Sequence, residues 1–142
     1  MTDEPGGYAG GCLCGAIRYQ AADPVRVSHC HCANCRRATG SPFGTWAVFR
    51  TQDVTFSGAE PARYRASEWA ERGFCPTCGG ALLFSYDDRP ELTILAAASL
   101  DDPSAVTPER HIWVKSRLDW IRCGDGLPTH PETSYGKAEK RT

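Results

Sequence analysis

Seven of the eight cysteines in this chain fall into three tight clusters: Cys12-Leu13-Cys14, Cys30-His31-Cys32-Ala33-Asn34-Cys35 and Cys75-Pro76-Thr77-Cys78. Thiolates grouped at such spacings bind soft or borderline metal ions, zinc foremost. A tetrahedral structural zinc takes four thiolates, and the three that remain make a second site with one position open, as in zinc sites that do chemistry. Three thiolates on Zn²⁺ leave a net charge of −1, and a thiol entering the open position would lose its proton to the metal at neutral pH. The pattern therefore points to two zinc ions per chain, the second the more easily lost.

Composition sets the surroundings for that chemistry. The 142 residues are 41% hydrophobic and 23% charged, which fits one domain with an ordinary core. Sixteen basic against 17 acidic residues give no broad positive field, so nucleic acid is not an expected partner. The opening Met-Thr-Asp-Glu-Pro-Gly-Gly has neither a basic nor an apolar leader region, and no stretch reaches the roughly 18 apolar residues of a membrane span. A soluble, cytoplasmic protein is expected, where thiols stay reduced and read as metal ligands. Eight is an even count, and a CxxC can also close as a redox disulfide, but such a pair does not need two CxC pairs elsewhere.

Local patterning suggests how the sulfurs are aimed. From Cys12 to Gln20 the side chains alternate, with Leu13, Ile17 and Tyr19 on one face of a predicted strand and Cys12 and Cys14 on the other. Val25 to Cys32 repeats the pattern, placing Val27, His29 and His31 on one face and Cys30 and Cys32 on the opposite one. Cys75 to Gly80 reads as a zinc knuckle, with glycine after the second cysteine to permit positive φ. Joining Cys12 and Cys14 to Cys75 and Cys78 ties segments roughly sixty residues apart, so that zinc should contribute to folding. After Cys35, Arg36-Arg37-Ala38-Thr39-Gly40 predicts a short helix from near Ala33 to Gly40. Arg36 and Arg37 are candidates to grip carboxylates of a sulfur substrate through forked hydrogen bonds.

The remainder reads as short strands at Thr45 to Phe49, Val54 to Ser57, Arg72 to Phe74, Ala81 to Ser85, Leu92 to Ala97 and His111 to Val114. A mostly β domain follows.

Taken together, Gly-Gly-Cys12-x-Cys14-Gly, Cys30-His-Cys32-x-x-Cys35-Arg-Arg, Gly73-Phe74-Cys75-x-x-Cys78-Gly, His111-Ile-Trp113 and Gly126-Leu127-Pro128 resemble the GFA domain family, named for the glutathione-dependent formaldehyde-activating enzyme. The likeness spans residues 8–130, which leaves a flexible start expected at 1–7 and a flexible tail at 131–142. The resemblance implies a β-rich, tent-like fold of the Mss4-like class, with short antiparallel strands stapled by zinc. It implies a four-cysteine structural zinc at Cys12, Cys14, Cys75 and Cys78, and a catalytic zinc at Cys30, Cys32 and Cys35. The activity it implies is a carbon–sulfur lyase reaction that joins glutathione to formaldehyde as S-hydroxymethylglutathione, with the thiol activated at the second zinc.

Smaller expectations attach to other residues. Alternation turns His29 and His31 away from the sulfurs, toward packing, although a histidine completing a Cys₃His set is the rival to an open second site. Phe43 and Trp46 are candidate pocket walls or plain core, as are His111 and Trp113. Cys123, in Trp120-Ile-Arg-Cys-Gly-Asp, reads as a buried, inert thiol. Two other functional classes stay open: a noncatalytic binding module with both zincs as scaffolding, and a thiol oxidoreductase with Cys123 as nucleophile. The CxC pairs and the lack of a base near Cys123 in sequence count against the second.

Overall fold

Ile17 and Tyr19 are fully buried while Arg18 and Gln20 face outward, so the alternation read from the sequence does form a strand there. It begins later than expected. The computed structural model describes residues 7–133 and opens with a hairpin, β1 (Tyr8–Gly11) against β2 (Ile17–Ala21), joined by a turn that carries Cys12 and Cys14. Leu13, expected on the buried face, is 89% exposed at the tip of that turn. The Cys12 carbonyl accepts from the Gly15 N–H at 3.2 Å, and the Cys12 N–H donates to the Ile17 carbonyl at 3.1 Å. The first CxC is thus a hairpin loop rather than part of a strand.

The other strands are β3 (Arg26–Cys30), β4 (Gly44–Arg50), β5 (Val54–Gly58), β6 (Ala62–Arg65), β7 (Ala70–Phe74), β8 (Ala81–Tyr86), β9 (Leu92–Ala96) and β10 (Arg110–Ile112). They form a three-stranded sheet, β1-β2-β5, and a seven-stranded sheet, β10-β3-β4-β9-β8-β7-β6. Pairing is antiparallel except at one edge, where β10 runs parallel to β3. The α-helix of the described residues, α1 (Ala33–Thr39), starts at Cys32 and ends where the Gly40 N–H returns to the Arg36 carbonyl at 2.7 Å. The fold is mostly β and of the Mss4-like kind expected. β1 and β6 carry too little alternating hydrophobicity to be read in the sequence. β10 stops earlier than predicted because Trp113 adopts a left-handed backbone, φ 59°, which no strand continues.

The large sheet separates two cores. Val27, Ala47, Phe49, Leu83 and Leu95 face the small sheet and pack on Ile17 and Tyr19. Their neighbours on the opposite face, Cys30, Trp46, Val48, Phe84, Ile94 and Ile112, build a second core that takes in Cys32 and Cys35 from α1. Apolar burial on both faces fixes the register, because a one-residue slip would exchange the two sets. The flexible ends expected at 1–7 and 131–142 lie outside the described residues, save Gly7 and residues 131–133.

Candidate metal centres

The hairpin turn and the knuckle between β7 and β8 bring four sulfurs together, and Cys12, Cys14, Cys75 and Cys78 all lie within 4.8 Å of one another. Cys12 and Cys14 Sγ are 3.7 Å apart, and Cys14 and Cys75 Sγ are 3.8 Å apart. Zinc–sulfur bonds of about 2.3 Å at tetrahedral angles place sulfurs about 3.8 Å from each other. The spacing fits a zinc ion and is far too long for a disulfide. Gly79, at φ 76°, allows the knuckle to fold back, and the Thr77 and Cys78 N–H groups point at Cys75 Sγ from 3.4 and 3.5 Å. The Ile17 N–H points at Cys12 Sγ from 3.3 Å. This centre sits near the surface, with Cys75 buried and Cys14 exposed.

The second cluster has the reverse character. Cys30 ends β3 and Cys32 caps α1 with an extended backbone, its sulfur accepting from the Cys35 N–H at 3.3 Å. Cys30, Cys32 and Cys35 Sγ lie within 4.8 Å of one another, and all three residues are buried, Cys35 completely. Among the described residues no histidine joins this group. His29 and His31 instead fall in separate groups with His111.

Crowding orders the protons in both clusters. The Ile17 amide and then its sulfur neighbours draw the Cys12 thiol down to about 6, whereas Cys14, despite the Ala16 amide, is pushed up to about 11 by desolvation and its sulfur neighbours. Hydrogen bonds from Cys30 and Cys35 draw Cys32 to about 3, and the same sharing pushes Cys30 well up. Cys78, drawn down first by the Gly80 amide, joins Cys12 on the lowered side of the four-sulfur group, while Cys32 alone is lowered in the three-sulfur one, and a dication would let all the thiols ionise.

Arg72 is the residue that the sequence did not single out. It stands on β7 with its Nη2 3.6 Å from Cys35 Sγ, and its guanidinium lies 4.7 Å from the Phe84 ring centre and 5.6 Å from that of Trp46. Its Nη1 is buried without a hydrogen-bond partner. Arg36 is half-buried on α1, and Arg37 is exposed.

Trp46 stands on the wall of three openings, one of which reaches this cluster. A narrow apolar slot of ≈ 40 Å³ reaches Cys30 between Trp46, Phe84 and Ile112. A depression of ≈ 400 Å³ is lined by Arg63, Tyr64 and Arg72. A cleft of ≈ 730 Å³ runs from Cys12 and Leu13 to Phe43 and Trp46, so both aromatics do wall a cavity. Gly44 lies directly opposite Cys30, where a Cβ would come 2.4 Å from Trp46 Nε1, so only glycine lets the indole lie where it does.

Cys123 is neither fully buried nor isolated: it is half-buried, 3.7 Å from His111 Nδ1 and 4.0 Å from His31 Nε2. No local spacing links these residues, which is why the sequence showed no base near the thiol. Burial, then His111, His29 and Arg117, draw His31 down to about 4.

The sequence model described as glutathione-dependent formaldehyde-activating enzyme matches residues 7–116. The chain belongs to this family. An uncharacterized lyase of Schizosaccharomyces pombe is 38% identical over 80 residues, 56% of this chain and 58% of that protein, so the chain spans under two thirds of the curated relative it matches. A Rhodobacter sphaeroides protein of known crystal structure aligns with a TM-score of 0.55 over 86% of this chain and 98% of its own, at 21% identity, a likeness of fold alone.

Proposed function

We propose that this family member is a carbon–sulfur lyase that joins a thiol such as glutathione to formaldehyde or a related small aldehyde at the three-cysteine centre. The observation that carries the reading is the inequality of the two clusters: four sulfurs close the shallow one, and three leave the buried one short of a tetrahedron. Cys12, Cys14, Cys75 and Cys78 are assigned to a structural zinc, and Cys30, Cys32 and Cys35 to a catalytic one. Bound there, the second ion would supply a Lewis-acid position that favours the thiolate form of an incoming thiol.

The chain's own residues supply the rest. The apolar slot at Cys30 suits a one-carbon aldehyde, and Trp46 and Phe84 keep water from it. The depression beside Arg72 has room for the body of the thiol, whose carboxylates are assigned to Arg36 and Arg37, with Arg63 at its rim. The thiol sulfur adds to the carbonyl carbon, forming the S–C bond. The C=O π pair moves onto oxygen, and the proton lost by the thiol returns to that oxygen, so the adduct contains both reactants whole. Arg72 Nη1, a buried donor without a partner, is the group that hydrogen-bonds the oxygen as charge develops on it. The seven thiols must stay reduced, as a cytoplasmic location would keep them.

Carbon-13 NMR of glutathione mixed with labelled formaldehyde tests this. The wild type should form the hydroxymethyl adduct above the uncatalysed rate, and Cys35→Ser should fall to that background. A wild type that runs at background with its zinc bound would refute the lyase reading and leave both centres as scaffolding.

A further inference from the structure

The face of β3 opposite the three-cysteine cluster carries a second set of metal-binding groups. His111 pairs with His29 across the parallel β10–β3 edge, and His31 continues β3 by donating its backbone N–H to the Ile112 carbonyl at 3.0 Å. Residues 128–130 then bond back along β10, and the loop before them lays Cys123 and Asp125 over His111. His31 Nε2, His111 Nδ1 and Cys123 Sγ all lie within 4.8 Å of one another.

We infer that His31, His111 and Cys123 form a third metal centre, for a divalent ion of the zinc class, separated from the cysteine clusters and oriented by Asp125. Its two sulfur–nitrogen distances, 3.7 and 4.0 Å, approach the separation of about 3.6 Å that a tetrahedral zinc imposes on one sulfur and one imidazole ligand. The two ring nitrogens stand 2.8 Å apart, a hydrogen bond. An ion replacing its proton requires them to open by about half an ångström. His111 directs its other nitrogen, Nε2, to Asp125 Oδ2 at 2.8 Å. That bond places the proton on Nε2 and leaves the Nδ1 lone pair facing His31 and Cys123, the carboxylate–histidine–metal arrangement of zinc sites. With His111 Nδ1 as acceptor, the hydrogen bond between the two rings holds the His31 proton on Nε2 in the metal-free chain; His31 is wholly buried and its Nδ1 has no partner, so the proton can pass to Nδ1 when an ion takes the Nε2 lone pair. Phe43 packs against His31 and His29, with ring centres 4.9 and 5.0 Å away, and shields the imidazoles. Cys123 and Asp125 remain partly open to solvent, which gives the ion an entry path and leaves a fourth position for an exchangeable ligand.

The test is metal stoichiometry of the full chain, equilibrated with Zn²⁺ and freed of excess, in the wild type and in Cys123→Ser. The variant should bind one equivalent fewer, and Asp125→Asn should weaken that same equivalent about 10- to 100-fold. Cadmium-113 NMR of the Cd²⁺-loaded chain should show a resonance of mixed sulfur–nitrogen coordination beside the all-sulfur ones, lost in Cys123→Ser. Repeating the subtraction in a Cys35→Ser background keeps this centre distinct from the proposed catalytic one, because the difference of one equivalent should persist there. Equal stoichiometry and equal affinity in wild type and Cys123→Ser, or loss of an all-sulfur resonance instead of the mixed one, would overturn the assignment.

Discussion

The two cysteine clusters hold similar sulfurs in opposite settings. The four-sulfur centre lies near the surface and unites a hairpin turn with a knuckle 61 residues away in the chain. The three-sulfur centre is built within six consecutive residues, from the end of β3 to the first turn of α1, and is buried in the second core. Closure and burial are therefore uncoupled. On the proposed assignment, a closed centre would tolerate exposure, its ion having no position left for water, and an open one would need the interior to keep its free position selective. Stability would follow the same division, since loop closure rewards the long-range centre and the local one spans almost no loop.

Substituting the knuckle should have the largest effect. Cys78→Ser, or removal of zinc by a chelator, should cost about 4 kcal/mol or more and abolish cooperative thermal unfolding, as followed by circular dichroism. Cys35→Ser should shift the melting temperature by only a few degrees while losing one metal equivalent and roughly 100-fold or more in adduct formation. If the two variants unfold alike, the division of labour fails.

Arg72→Met should reduce the rate by roughly 10- to 100-fold with both cysteine-bound metals retained, and Arg72→Lys should restore part of it. An undiminished rate would remove Arg72 from the reaction. Smallest of all should be Asp101→Asn near the four-sulfur centre, where the carboxylate forms a two-pronged pair with Arg18. Arg18 holds the Asp101 carboxyl below its ordinary range. Its contribution is thus present above about pH 4 and lost as pH falls through the lowered value. Because both side chains are about half exposed, the substitution should cost at most about 1 kcal/mol at neutral pH in denaturant titrations, with less effect in high salt.

What the sequence revealed follows the range of each interaction. The cysteine groups were legible because their members are sequence neighbours, and α1 because its start at Cys32 and stop at Gly40 are local signals. The first CxC misled because alternation extends back from Ile17 to Cys12, whereas the backbone turns at Gly15, φ 82°. Arg36 and Arg37 drew notice by adjacency to Cys35, yet the guanidinium that meets its sulfur belongs to Arg72, delivered by β7 across the sheet. Pairing of β7 with β8 was not written in either segment. The histidine–Cys123 cluster joins residues 80 and 92 positions apart, with no spacing to announce it.

The central claim, one closed and one open sulfur centre, is tested most directly by zinc-edge X-ray absorption of the Cys123→Ser protein before and after glutathione is added. Two zincs with four and three sulfurs average about 3.5 sulfur neighbours per ion, and the added thiol should raise that to about 4. An average already at four, or one that glutathione leaves unchanged, would contradict it.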